Sequence, residues 1–265
     1  MFCARDGRRI HYDLLGARGR PFVCLVHALA ADSGLWAEQV PVLLGAGFGV
    51  LRVDLRGHGG SEATPGPYVM EDLGADIAQV LRAADVGPVH YVGLSLGGMS
   101  GQALALDHPE LLRSVVICDA LPERLPNAEA VWGPRIRAAR AAGSCEGLAN
   151  ATMERWLTPA FRAAHPQRWQ AIRDTVAATP AEGYAGCAEA ISAFSFVARL
   201  PTLAVPALIL CGEHDEAVPP AEGERIARLV PDGRFHAIAG ARHLPNVEKA
   251  EVFNDHLLGW LAERG

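Results

Sequence analysis

No apolar run in this 265-residue chain approaches the roughly 20 residues that a membrane-spanning helix requires. The N-terminal stretch MFCARDGRRIHYDLLG also lacks an apolar core of signal-peptide length, so the sequence predicts a soluble, cytoplasmic protein with no membrane partner. Long runs of one charge are missing too. With a net charge of −6 and a pI near 5.9 there is no basic face for nucleic acid, and a small molecule is the expected partner. The six cysteines, at positions 3, 24, 118, 145, 187 and 211, form no C-x-x-C pair, and four of them lie in or beside apolar segments that read as core. That pattern excludes a disulfide framework and a zinc site, and no metal is predicted. Internal repeats and low-complexity tracts are absent as well.

What is present is a chain of 50% hydrophobic residues, long enough to bury a large core as one α/β domain or as one domain with an insertion. Residues 2–15 alternate around Asp6-Gly7, a pair that closes β-hairpins. The segments FVCLVH (22–27), GVLRVDL (49–55), VHYVGL (89–94), SVVICD (114–119) and ALILCG (207–212) are short, β-branched and almost continuously apolar, as strands buried on both faces should be. GRFHAIAG (233–240) reads as the last strand. Helical spacing occupies 36–44, 71–84, 97–108, 221–230 and 247–261 between or after them. This alternation predicts an α/β fold with a doubly wound, mostly parallel sheet and helices on both faces.

Residues 121–199 interrupt the alternation with helix-like segments and no convincing buried strand. Leu121-Pro122 and LPTLAVP (200–206) bound them, because proline disfavours helix. The predicted organisation is a core of 1–120 and 200–265 with a helical cap of 121–199. The cap holds Trp132, Trp156 and Trp169 and carries +2 charges, leaving −8 for the rest of the chain. Such a surface suits an apolar substrate bearing a carboxylate, which arginine binds bidentately. Any single cap arginine is more simply read as a solvated surface charge.

Candidate chemistry starts at GLSLGG (93–98), where Ser95 stands between glycines at the passage from an apolar strand to a helix. A serine on so tight a turn needs small neighbours two residues either side, and the turn lifts its hydroxyl beside a helix N-terminus that favours negative charge. A serine hydroxyl becomes a nucleophile only when a base takes its proton and a third group orients that base. Sites in open α/β sheets lie at the carboxyl ends of strands, which narrows ten histidines to His27, His58, His214 and His243. His27 and His58 precede Ser95 and read as loop-shaping. His243, in GARHLPNVE before the final helix, follows it and is the predicted base. Asp215, directly after ALILCGEH, is the favoured acid because the order Ser95, Asp215, His243 is that of hydrolases with this architecture. Glu213 and Glu216 flank it, and Asp119 at the end of SVVICD is the main competitor. An oxyanion hole would take its backbone N–H groups from Leu96, the residue after the nucleophile, and from Leu29 in the loop after FVCLVH.

In order along the chain, HALA, DLRGHGGS, GLSLGG, CGEHDEAVPP and GARHLPNVE resemble the α/β-hydrolase superfamily across nearly the full sequence. Within it, LVHALAADSGLW, GPYVMEDLGADI, VWGPRI and PAEGYAGCAEAI are most similar to the 3-oxoadipate enol-lactonase family. The resemblance implies an α/β-hydrolase fold with a helical cap and a serine hydrolase that opens a small carboxylate-bearing lactone without a cofactor. It also implies that Trp132 and Arg135 face the substrate. Alternatives within the same resemblance are a broad carboxylesterase, a hydrolase of carbon–carbon bonds in ring-cleavage products, and a ligand-sensing receptor. The chain departs from the family in having Ala30-Ala31 where Gly-Thr is common, Ser195 near a usual aspartate, and a histidine at position 214.

Overall fold

The computed structural model describes residues 1–5 and 7–264. Eight strands form one sheet in the order β1-β2-β4-β3-β5-β6-β7-β8. They are β1 (Phe2–Arg5), β2 (Arg8–Leu15), β3 (Phe22–Val26), β4 (Gly49–Val53), β5 (Val89–Leu94), β6 (Leu112–Cys118), β7 (Ala207–Gly212) and β8 (Gly233–Ile238). The first two are antiparallel and the remainder run parallel. Every residue of β3, β5 and β7 is buried, which is why those stretches read as unbroken apolar runs rather than alternating ones. Of the predicted hairpin turn, Gly7 is described at φ 78°, while Asp6 lies outside the described residues.

The helices of the core are α1 (Val40–Gly45), α2 (Met70–Ala84), α3 (Leu96–Asp107), α9 (Pro220–Leu229), α10 (Pro245–Glu248) and α11 (Ala250–Glu263). Between β6 and β7 the chain forms α4 (Ala128–Ala142), α5 (Glu146–Trp156), α6 (Pro159–Ala164), α7 (Pro166–Ala178) and α8 (Ala181–Ala193). The predicted helix over 36–44 is in fact two pieces. Ser33–Trp36 is a single 3-10 turn capped by Asp32, whose Oδ1 accepts from the Gly34 N–H at 2.8 Å, and α1 starts afresh with Pro41 in its first turn. Proline has no N–H to continue a preceding helix but suits a first turn. The predicted helix over 247–261 is likewise split at Lys249.

Strand order reverses at β3, whose neighbours are β4 on one side and β5 on the other, so a crevice opens outside the carboxyl ends of β3 and β5. Val26 pairs with Gly93, Leu94 with Cys118, and Cys118 with Leu210, which sets these strand ends level with one another. The residues that follow each strand therefore meet along one rim: His27, Ser95, Asp119 and the 213–218 loop.

Candidate active site

Ser95 has φ 55° and ψ −112°, a conformation rare for any residue with a Cβ. Its surroundings hold it there. The Ser95 N–H donates to Cys118 O at 2.8 Å, the Gly97 N–H to His27 O at 3.1 Å, and the Tyr91 hydroxyl to Gly97 O at 2.7 Å. The flanking glycines are required by space: a Cβ on Gly93 would lie 2.3 Å from Gly97 O, and one on Gly97 2.3 Å from Val26 O. The turn leads directly into α3, whose first N–H groups have no partner within the helix and favour an anion beside them.

His243 comes from the loop after β8, and its Nδ1 lies 2.7 Å from Asp215 Oδ2, both residues being buried. A carboxylate can only accept, so Nδ1 carries a hydrogen, and in the neutral ring the lone pair is left on Nε2. Burial alone would push the Asp215 carboxyl upward. The charge and hydrogen bond of His243, with the Val218 N–H, more than offset this, and Asp215 stays below the usual carboxylate range. Its Oδ1 also accepts from Ala217 N–H at 2.7 Å and Val218 N–H at 3.1 Å, so both oxygens are fixed. Ser95 and His243 line the same cavity, of about 240 Å³, small for a ligand site. The Trp156 ring at the end of α5 lies over His243, with centroids 5.9 Å apart.

Asp119, the competing acid, is buried beside this pair. Donor atoms of Asp119, Asp215 and His243 lie within 4.8 Å of one another, the single grouping among the described residues with the donor types of a metal site. The 2.7 Å His243–Asp215 separation is that of a direct hydrogen bond.

Leu29 and Ala30 line the cavity, whereas Leu96 contributes only as the first residue of α3. The loop bearing Leu29 is shaped by the two histidines that precede Ser95. The Ala30 N–H donates to His58 Nε2 at 2.9 Å while His58 Nδ1 donates to Arg56 O, and the Leu55 N–H donates to His27 Nε2 while His27 Nδ1 donates to Ala28 O. Both rings must be neutral to accept in this way. Burial, reinforced by His27, pushes His58 down to about 3, and burial lowers His27 as well.

Trp132 and Arg135 line the cavity, Arg135 lying 5.2 Å over the Trp132 ring. Arg155, which nothing but its place beside Trp156 could have singled out in the sequence, lines it too. Burial and then the nearby Arg135 lower the Arg155 pKa. Among the described residues neither arginine makes an ion pair, while Arg140, Arg168, Arg173 and Arg199 of the same inserted segment all do. Glu216 is the one acid on the wall. Of the three departures from the enol-lactonase pattern only Ala30 reaches the cavity; Ser195 bonds Glu123 at 3.2 Å and His214 is exposed beside Glu213.

Comparison with known proteins agrees with this architecture. Residues 21–250 match the family model of the alpha/beta hydrolase fold. The chain is 28% identical to 3-oxoadipate enol-lactonase 2 of Acinetobacter baylyi over 92% of its own length and 90% of that protein's. It is 30% identical to a Variovorax paradoxus protein provisionally named carbamate hydrolase RutD, over 96% of each. The crystal structure of the enol-lactonase from Burkholderia xenovorans LB400 superposes with a TM-score of 0.94 at 35% identity, covering 99% of this chain and 100% of that one. By its fold, its strand-end turn and this match over most of its length, the chain belongs to the α/β-hydrolase family.

Proposed function

We propose that this hydrolase of ester bonds opens a small carboxylate-bearing lactone, 3-oxoadipate enol-lactone or a close relative, through an acyl-enzyme on Ser95. The observation that carries this reading is a single small cavity walled at once by Ser95, by His243 and by the unpaired guanidinium groups of Arg135 and Arg155. Both guanidinium groups are partly buried without a carboxylate partner, and an anionic ligand relieves the cost of that. Cap residues 121–199 thus read as the specificity element over a catalytic core of 1–120 and 200–265.

In this reading His243 Nε2 takes the Ser95 proton as the hydroxyl oxygen bonds to the lactone carbonyl carbon. The oxyanion is held by the Leu29 and Leu96 N–H groups. The ring C–O bond then breaks, and His243 returns the proton to the departing oxygen, which stays tethered in the acyl group. Water, deprotonated by His243, adds to the acyl carbon and releases Ser95, so the product is one acid rather than an acid and an alcohol. Asp215 orients the imidazole throughout. No cofactor takes part in these steps.

Enol-lactonase and RutD relatives support different leaving groups, so the test is a panel. Purified protein is assayed with 3-oxoadipate enol-lactone, a neutral lactone of equal size, short p-nitrophenyl esters and a small carbamate. We expect the carboxylate-bearing lactone to give the highest kcat/KM, with many turnovers per chain. Preference for the uncharged ester or the carbamate would overturn the substrate assignment, and absence of multiple turnover on every compound would favour a ligand sensor.

A further inference from the structure

Asp119 takes no part in the steps above, yet it is fully buried against the residues that do. It follows β6 directly with φ 44°, its N–H donating to Leu210 O at 3.0 Å. Its Oδ1 accepts from the Gly212 N–H at 2.8 Å, whereas Oδ2 is buried with no donor to accept from. The titratable groups that face it are the Cys118 thiol at the end of β6, the Cys211 thiol on β7, Asp215 after β7 and His243 after β8. Two ionised carboxylates held this close in a dry site repel, and an orphaned carboxylate oxygen is itself expensive. A proton on Oδ2 removes both problems, because it turns the orphan acceptor into a donor beside the Asp215 carboxylate, the two residues having oxygens within 4.8 Å of one another.

We propose that Asp119 is a proton-bearing positioning residue, its neutral carboxyl donating a hydrogen bond from Oδ2 to Asp215 so that this carboxylate is fixed on the His243 ring. The inference rests on the assignment of Ser95, His243 and Asp215 as the reacting group. Burial, and next the charge of Asp215, push the Asp119 carboxyl well above its ordinary 3.8, and among the described carboxyls it is the one moved upward. Asp215 becomes the charged member of the pair and Asp119 the neutral one, a division of labour that two carboxyls in contact reach when one has better donors.

Asp119→Asn tests this, since the amide keeps the Gly212 contact, donates where the acid would, and tolerates a positive φ. The Asn variant should retain kcat/KM within about threefold, with the acid limb of its pH profile unmoved, while Asp119→Ala loses about 10- to 100-fold in kcat. If Asp119 is instead ionised, Asn removes a negative charge beside the imidazole and the acid limb falls by about 1–3 pH units, overturning the proposal. A readout independent of turnover is the infrared C=O stretch of a protonated carboxyl. It should be present in the native chain at neutral pH and absent from the Asn variant. Its absence from the native chain would sink the inference even if no variant folds, and would leave the assignment of Ser95 untouched.

Discussion

At the scale of single residues, the proposed chemistry rests on the strained Ser95 and on the tautomer that Asp215 would impose on His243. Ser95→Ala should abolish covalent labelling by an organophosphate, read by intact mass, and persistent labelling would remove Ser95 from its role. Asp215→Asn should leave the fold intact but lower kcat by about 10⁴-fold, because an amide that donates to Nδ1 favours the wrong tautomer. Comparable damage from Asp119→Asn instead would move the acid to β6. Arg155→Met should raise KM for a carboxylate substrate and lower kcat/KM by about 10- to 100-fold, the worth of a charge-assisted hydrogen bond, while leaving a neutral ester unaffected. The triad candidates were legible in the sequence because a tight turn demands glycine, and strand-end loops carry the partners in a known order. Arg155 was not. Nine arginines between 121 and 199 look alike as letters, and only packing reveals which have found carboxylates.

At the scale of elements, the loop after β3 and the loop after β4 form one unit joined by His27 and His58. Ala30 sits there at φ 60°, a conformation that costs an L-residue about 1–2 kcal/mol, and its N–H is held by His58. Ala30→Gly relieves that strain but adds about 0.4–1 kcal/mol of unfolded-chain entropy. The net expectation is a small rise in Tm, and a clear fall would contradict the left-handed backbone. Parallel strands were legible from β-branched runs because burial on both faces leaves no polar alternation to confuse them. The 36–44 segment reads from its spacing as one helix, where the structure has a 3-10 turn and then α1. Its apolar spacing continues through Gln39, but that side chain is committed elsewhere, its Nε2 donating to Asn246 O at 2.9 Å and Asn254 Oδ1 at 3.0 Å. Long-range bonds of this kind leave no periodic trace.

At the scale of the whole molecule, acid should unfold the protein through histidines rather than through its surface ion pairs. His27, His58 and His90 are buried and held neutral. Burial, and then Arg113, lower His90 to about 4, and His58 stands at about 3 against an ordinary 6.5. In the unfolded chain each binds a proton near 6.5, so the unfolded state holds more protons below that pH. Stability present above pH 6.5 is therefore lost as the pH falls toward 4, by up to about 1.4 kcal/mol per pH unit for each ring. Asp119, displaced upward, acts in the opposite sense, but it is one group against three. Urea midpoints measured from pH 7 to 4 should fall, and His90→Gln should flatten the decline; an unchanged slope would exclude His90 from it.

The inserted helices leave and rejoin the sheet side by side. Glu123 and Ser195 form an isolated antiparallel bridge, extended by the Arg124 N–H to Phe194 O at 2.9 Å and the Phe196 N–H to Pro122 O at 2.9 Å. The roof made by these helices is also latched to the floor further along: Arg168 pairs with Glu38 at 2.7 Å, the Thr158 N–H donates to Glu248 at 2.9 Å, and the Leu244 N–H donates to Trp156 O at 3.3 Å. Replacing 124–194 with a segment of another length would bring new walls over Ser95, but only a replacement that restores these latches would leave the floor undisturbed, so a change of diet on this scaffold is tied to keeping the old fastenings.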